Sequence, residues 1–124
     1  MNSLPFPLQN EELFQQQAYV QGKWVHAEQL KTFPVYNPFN KEKIAEVSDL
    51  SVSDFENAVQ AASEAFSLWS QYTSFNRSHI LQKWHDLILK NENDLAGLLT
   101  LEQGKPFPEA LGEIRYGASF IAWF

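Results

Sequence analysis

The side chains with chemistry to offer gather in Leu101–Phe124, LEQGKPFPEALGEIRYGASFIAWF, where Glu102, Lys105, Glu109 and Glu113 surround a Gly-Lys-Pro break. Carboxylates one helical turn apart, such as Glu109 and Glu113, can share a face. In the first turns of a helix acids also answer the positive end of the backbone dipole, and that structural role is the commoner one. His26, His79 and His85 show no metal-ligand spacing. His79 and His85 are six residues apart, which on a helix turns them roughly 240° from each other, so they diverge and read as surface histidines. Gly97, Gly104, Gly112 and Gly117 form no G-x-G-x-x-G, and Gly104-Lys105 is followed by Pro106 where a phosphate-cradling loop requires Ser or Thr. Ser119 lies between Ala118 and Phe120, outside any G-x-S-x-G elbow. The chain contains no cysteine, which excludes disulfides, thiolate metal sites and a thiol nucleophile within it.

The elements that must hold these groups fall into two halves, an α+β arrangement. Residues 1–17 read as a loosely held leader, because Pro5 and Pro7 block regular structure before a short turn at Glu11–Phe14. Residues 18–50 read as strands and turns. Ala18-Tyr19-Val20 and Lys23-Trp24-Val25 flank Gln21-Gly22 as a tight hairpin. Thr32–Tyr36 is extended and closes at Asn37-Pro38, and Lys43–Val47 alternates as a half-exposed strand does. Residues 53–124 read as four helices. Ser53 and Glu56 form a capping box for the first, whose Phe55, Val59, Ala62, Phe66 and Trp69 predict one buried stripe. Ser74 caps the second, with Leu81, Trp84, Leu87 and Ile88 on one side, and Asn91-Glu92-Asn93-Asp94 interrupts it. The third carries Leu95, Leu98, Leu99 and Glu102 and stops at Gly104. Pro108 opens the fourth, whose stripe is Leu111, Ile114, Ala118 and Ile121. The large aromatics Trp69, Trp84, Phe120, Trp123 and Phe124 fill a core or an interface.

The formal charge of −6 is spread over mixed acids and bases, so phosphate backbones repel the surface and nucleic acid is a poor partner. The start, MNSLPFPLQNEELFQQQ, has neither a basic n-region nor an apolar core, and no run approaches the roughly 18 apolar residues of a membrane span. A cytoplasmic, membrane-free protein is the expectation.

Leu101-Glu102-Gln103-Gly104-Lys105-Pro106, then Glu109-Ala110, Gly112-Glu113-Ile114 and Ala118–Phe124, resemble the N-terminal third of the aldehyde dehydrogenase superfamily, in particular its succinate-semialdehyde dehydrogenase branch. The similarity runs back through Ser74–Leu99, Ala58–Trp69 and Asn37-Pro38 to the Tyr19–Trp24 hairpin. The resemblance implies a considerably longer, homo-oligomeric enzyme that oxidises an aldehyde with NAD or NADP, of which this chain would be the first part. The parent's cysteine nucleophile, oxyanion-holding amides and water-activating glutamate would follow Phe124. Catalytic and cofactor-binding residues are therefore expected to be absent from this chain, and residues 1–124 to be scaffold in a Rossmann-like cofactor-binding domain. The fourth helix runs to Phe124 without a stop signal, which suits a piece of that longer enzyme.

The resemblance also carries over two sets of residues. Glu102, with backbone carbonyls near Val35 and Tyr36, matches a structural monovalent-cation position, against the simpler reading of a helix-end carboxylate. Gly112, Tyr116 and Phe120 fall on the face of the fourth helix that borders the aldehyde entrance in relatives. Tyr116 is the strongest of the three, because its hydroxyl can meet a polar substrate while its ring packs. Without the rest of the domain the helices would leave broad apolar patches, so the isolated chain is expected to self-associate through Phe66, Trp69, Trp84 and Trp123. The alternative function is a non-catalytic module that uses those faces to bind itself or a full-length relative.

Overall fold

The computed structural model describes residues 4–124. The first three residues of the expected leader lie outside that range. Glu11–Leu13 make one 3-10 turn. Strands β1 (Ala18–Val20) and β2 (Lys23–Val25) form one antiparallel pair, and β3 (Thr32–Tyr36) and β4 (Lys43–Ser48) form a second. The helices are α1 (Val52–Trp69), α2 (Ser74–Lys90), α3 (Glu92–Gln103) and α4 (Phe107–Trp123).

The β1–β2 turn follows directly from its two residues. Val20 pairs with Lys23, leaving Gln21 and Gly22 as a two-residue loop with φ of 51° and 75°. Positive φ at both positions twists the turn to match its strands, and Gly takes it without steric cost. Tyr19 and Trp24 face each other across the pair with ring centroids 5.0 Å apart. The β3–β4 connection is tied by Asn37, whose carbonyl accepts from the Lys41 amide at 2.8 Å and whose side chain accepts from the Phe39 amide at 2.9 Å. A register shift between Val35 and Tyr36 bends the strand just before this turn.

Two helix caps differ from the sequence expectation. The capping box of α1 is Ser51 with Asp54, not Ser53 with Glu56. The Ser51 hydroxyl accepts from the Asp54 amide at 3.2 Å, and the Asp54 carboxylate accepts from the Ser51 amide at 2.8 Å. Ser53 is already inside the helix, where its hydroxyl donates to Glu28 at 3.2 Å. The two S-x-x-acid frames overlap in the sequence, and only the earlier one has its serine in extended backbone, at ψ 170°. At α2 the cap is Thr73, which accepts from the Asn76 amide at 3.2 Å, and Ser74 is the first helical residue. The break between α2 and α3 is shorter than the expected Asn91-Glu92-Asn93-Asp94, because only Asn91 is non-helical and the other three form the first turn of α3. Elsewhere the stops and starts fall where the residues placed them. Gly104 takes a left-handed φ of 82° at the end of α3, and Pro108 sits in the first turn of α4.

Helix α4 packs on both α2 and α3. Small residues make the crossing close: Ala96 and Ala110 are fully buried, Ala118 is 1% exposed, and Leu101 joins them. The α4 stripe accordingly turns inward, with Ala118 buried and Leu111, Ile114 and Ile121 half-buried. The α1 stripe does not. Phe55 and Phe66 are each 64% exposed, Val59 is exposed, and α1 buries no residue. Trp84 and Leu87 of α2 are also exposed. The expected buried stripe of α1 fails because no element among the described residues lies over it. Among the described residues no large side chain is fully buried, and the chain exposes 9386 Å² where a folded monomer of its mass would expose roughly 6,800 Å².

The leader from residue 4 onward is docked, against the expectation that it hangs loose. The Asn10 amide donates to the buried Asp94 carboxylate at 2.9 Å, and the Phe6 ring lies on Gly97 of α3. Pro5 and Pro7 forbid helix there but not an irregular segment laid across another element, and the chain bends at Pro5 and Phe6.

Candidate functional site

Helix α4 presents Gly112, Tyr116 and Phe120 at four-residue intervals, and such spacing puts them on one face. Tyr116 and Phe120 meet edge to face, with centroids 4.8 Å apart and planes at 77°. Both rings are exposed, and a methyl group added at Gly112 would touch nothing within 4 Å. The expected entrance residues thus form an open aromatic surface. Ser119 is spent locally, its hydroxyl donating to the Tyr116 carbonyl at 2.7 Å.

The surface is positioned by what lies behind it. Ala110 and Ala118 let α4 approach α2 and α3, and Arg115 grips Glu92 with two hydrogen bonds of 2.7 Å. The guanidinium holds the Glu92 carboxyl below its usual range, and that carboxylate raises Arg115 in turn. Lys105 pairs with Glu113 across the first turns of α4, and its hydrogen bond to that carboxylate raises the lysine pKa. Of the polar groups clustered in Leu101–Phe124, Lys105 and Glu113 therefore serve the helix start, as does Glu109 in the first turn. Arg77 likewise turns back on its own backbone, donating to the Tyr72 carbonyl at 2.7 Å.

Glu102 and Val35 line one cavity of about 130 Å³, and Tyr36 stays outside it. The remaining lining is mostly apolar, from Leu13, Phe14, Ile44, Ala45, Val47, Leu98 and Leu101. One carboxylate in such a setting is a sparse oxygen shell for a cation. Among the described residues no three His, Asp or Glu side chains converge. The histidines stay apart: His26 and His79 are exposed, and half-buried His85 lies 2.9 Å from Asp86.

Sequence reasoning passed over a cavity of about 700 Å³, which lies between the leader and α3 and is lined by Phe6, Asn37, Phe39, Asp94, Gly97, Thr100 and Phe107 among others. The Thr100 hydroxyl there is buried without a hydrogen-bond partner. A glycine inside a helix was the available signal, since it marks close approach by another group.

The sequence pattern of the aldehyde dehydrogenase family matches residues 24–124. The chain belongs to the aldehyde dehydrogenase family. Over 117 residues, 94% of its length, it is 46% identical to a succinate semialdehyde dehydrogenase of Acinetobacter baylyi and 44% identical to a glutarate-semialdehyde dehydrogenase of Pseudomonas aeruginosa. Among solved structures it is similar to an NADP-dependent enzyme of E. coli, with a TM-score of 0.93 and 41% identity over 94% of this chain. In all three cases the match covers 24% of the other protein, so the chain spans about a quarter of the length of the relatives it matches. Its four helices and two small antiparallel sheets are a piece of the aldehyde dehydrogenase fold. No helix among the described residues is long and apolar enough to cross a membrane.

Proposed function

We propose that this chain is the N-terminal scaffold of an NAD(P)-dependent aldehyde dehydrogenase whose substrate is succinate semialdehyde, oxidised to succinate. The observation that carries the reading is the 46% identity to the Acinetobacter baylyi succinate semialdehyde dehydrogenase, sustained over 117 residues. The name of the Pseudomonas aeruginosa relative points to a similar aldehyde, whose single carboxylate lies one carbon farther from the aldehyde group. The E. coli neighbour, named for NADP, supports a nicotinamide cofactor.

On this reading the chain does no chemistry alone. It has no cysteine to attack a carbonyl. Its cations near α4 are already spent, Arg115 on Glu92 and Lys105 on Glu113, which leaves them poorly placed to receive a substrate carboxylate. The contribution of α4 is instead a wall: Gly112, Tyr116 and Phe120 border the aldehyde entrance, and the Tyr116 hydroxyl faces the incoming substrate. The exposed faces of α1 and α2 support burial against the remainder of the enzyme or against another subunit.

The test is aldehyde-dependent reduction of NAD and NADP by the full-length enzyme, with succinate semialdehyde set against a neutral aldehyde of equal length. The expected result is a kcat/KM that favours the acid. Equal rates would overturn the substrate assignment, and no reduction with any aldehyde would overturn the reaction. The 124-residue chain alone is expected to give no turnover.

A further inference from the structure

We infer that the leader, residues 4–17, is a strap that couples the β3–β4 hairpin to α3 and docks as one cooperative unit. The strands pair with each other and α4 packs on α2 and α3, while the backbones of strands and helices approach each other at few points. What runs between them is the leader. At one end the Phe6 ring rests on Gly97, and the Asn10 amide donates to the buried Asp94 carboxylate at 2.9 Å. In the middle Leu13 and Phe14 line the small cavity shared by β3, β4 and α3. At the other end Gln16 lies along the free edge of β4. Its carbonyl accepts from the Ser48 amide at 2.9 Å, and its side-chain oxygen accepts from the Glu46 amide at 3.3 Å.

The seat is specific. A methyl group built on Gly97 would stand 2.9 Å from Phe6 Cε2 and 3.0 Å from Cζ, closer than carbon atoms pack, so the ring must shift from this seat if residue 97 has a side chain. Pro5 and Pro7 restrict the backbone on either side of Phe6, which lowers the entropy cost of laying its ring into place. The hairpin has a second, independent tie at its far end, where Pro38 lies against Gly104. Loss of the strap should therefore free the β4 edge and leave the Asn37–Lys41 turn in place.

Native-state amide exchange in the full chain tests this. Gly97→Ala is the informative variant, because alanine favours helix and should protect α3. We expect it instead to speed exchange at Ser48 and Glu46 about tenfold, the scale of one lost hydrogen bond. Phe6→Ala should do the same. The double variant should match Phe6→Ala alone, because the two changes remove one contact. Amides that close the Asn37–Lys41 turn should be unaffected. Unchanged exchange at Ser48 and Glu46 in both single variants would overturn the strap. So would acceleration spread evenly through the turn and the β1–β2 hairpin, which would report general loss of stability.

Discussion

Arg115 on α4 holds both carboxylate oxygens of Glu92, the first residue of α3, at 2.7 Å. The two-point pairing restricts the rotation of α4 about its axis, because a guanidinium fork meets a carboxylate in few orientations. It also sits beside Tyr116, so it helps set the direction of the aromatic face. The pairing holds the Glu92 carboxyl below its unfolded range. A depressed acid stabilises the fold above its unfolded pKa, and that stability is lost as pH falls through the folded value. We expect thermal stability to fall on acidification below the ordinary carboxylate range, and Glu92→Gln to flatten that part of the profile. A Glu92→Gln profile parallel to the parent's would show that the pair contributes nothing to folding.

The overlapping capping frames give a second prediction. Ser51→Ala should cost about 1 kcal/mol, since it removes the side-chain acceptor for the Asp54 amide and leaves a helix-start donor unsatisfied. Ser53→Ala should cost much less, as alanine suits the first turn and only the 3.2 Å bond to exposed Glu28 is lost. Denaturant midpoints for the two variants check the order. The reverse order would restore the frame that the sequence suggested.

Most of the backbone was legible in the residues. Gln21-Gly22 announced a two-residue hairpin, Gly104 a left-handed stop and Asn91 a break, because each answers to a local steric rule. The shift from Ser53 to Ser51 shows the limit of such rules: both frames satisfy the motif, and the choice depends on where the chain leaves β4. Burial was less legible. Period alone gave the apolar stripe of α1, but burial needs a partner, and periodicity cannot say that no partner lies among these residues. The leader was misread for the converse reason. Pro5 and Pro7 exclude helix, but they do not exclude docking, and the seat at Gly97 lies far off in sequence. Of the proposed entrance residues, their common face followed from spacing, while the entrance role came only from the resemblance to longer enzymes.

Gly112 offers a test that separates the chain alone from the full-length enzyme. In the chain, a methyl group at position 112 meets nothing within 4 Å, and glycine inside a helix is unfavourable relative to alanine. Gly112→Ala should therefore stabilise the 124-residue chain by about 0.5–1 kcal/mol, measured by denaturant unfolding. In the full-length enzyme the same change should raise KM for succinate semialdehyde, because the methyl group narrows the proposed entrance. A higher stability with unchanged KM would remove Gly112 from the entrance wall while leaving the helix argument intact.

The last prediction concerns what the chain does when it is made alone. Its surface exceeds that of a folded monomer of equal mass by roughly 2,600 Å², and many of its exposed large side chains are aromatic. A standard protein interface removes about 800 Å² from each partner, so the surplus is ample for association. The stripe of α1 supplies Phe55, Val59 and Phe66 on a helix that buries nothing, and Trp84 and Trp123 extend the apolar surface onto α2 and α4. Trp69 closes the stripe beside Tyr72, with ring centroids 5.9 Å apart. We expect sedimentation to show concentration-dependent dimers or larger species, and dye binding to report exposed apolar surface. Phe66→Glu should shift the distribution toward monomer, because a charge placed in that contact must be desolvated on association. Helix content should change little, since Phe66 is 64% exposed and contributes little to the fold of a single chain. A compact monomer at high concentration, with no dye binding, would show that these faces are not adhesive. Association that Phe66→Glu leaves intact would move the contact to the Trp84 or Trp123 surface.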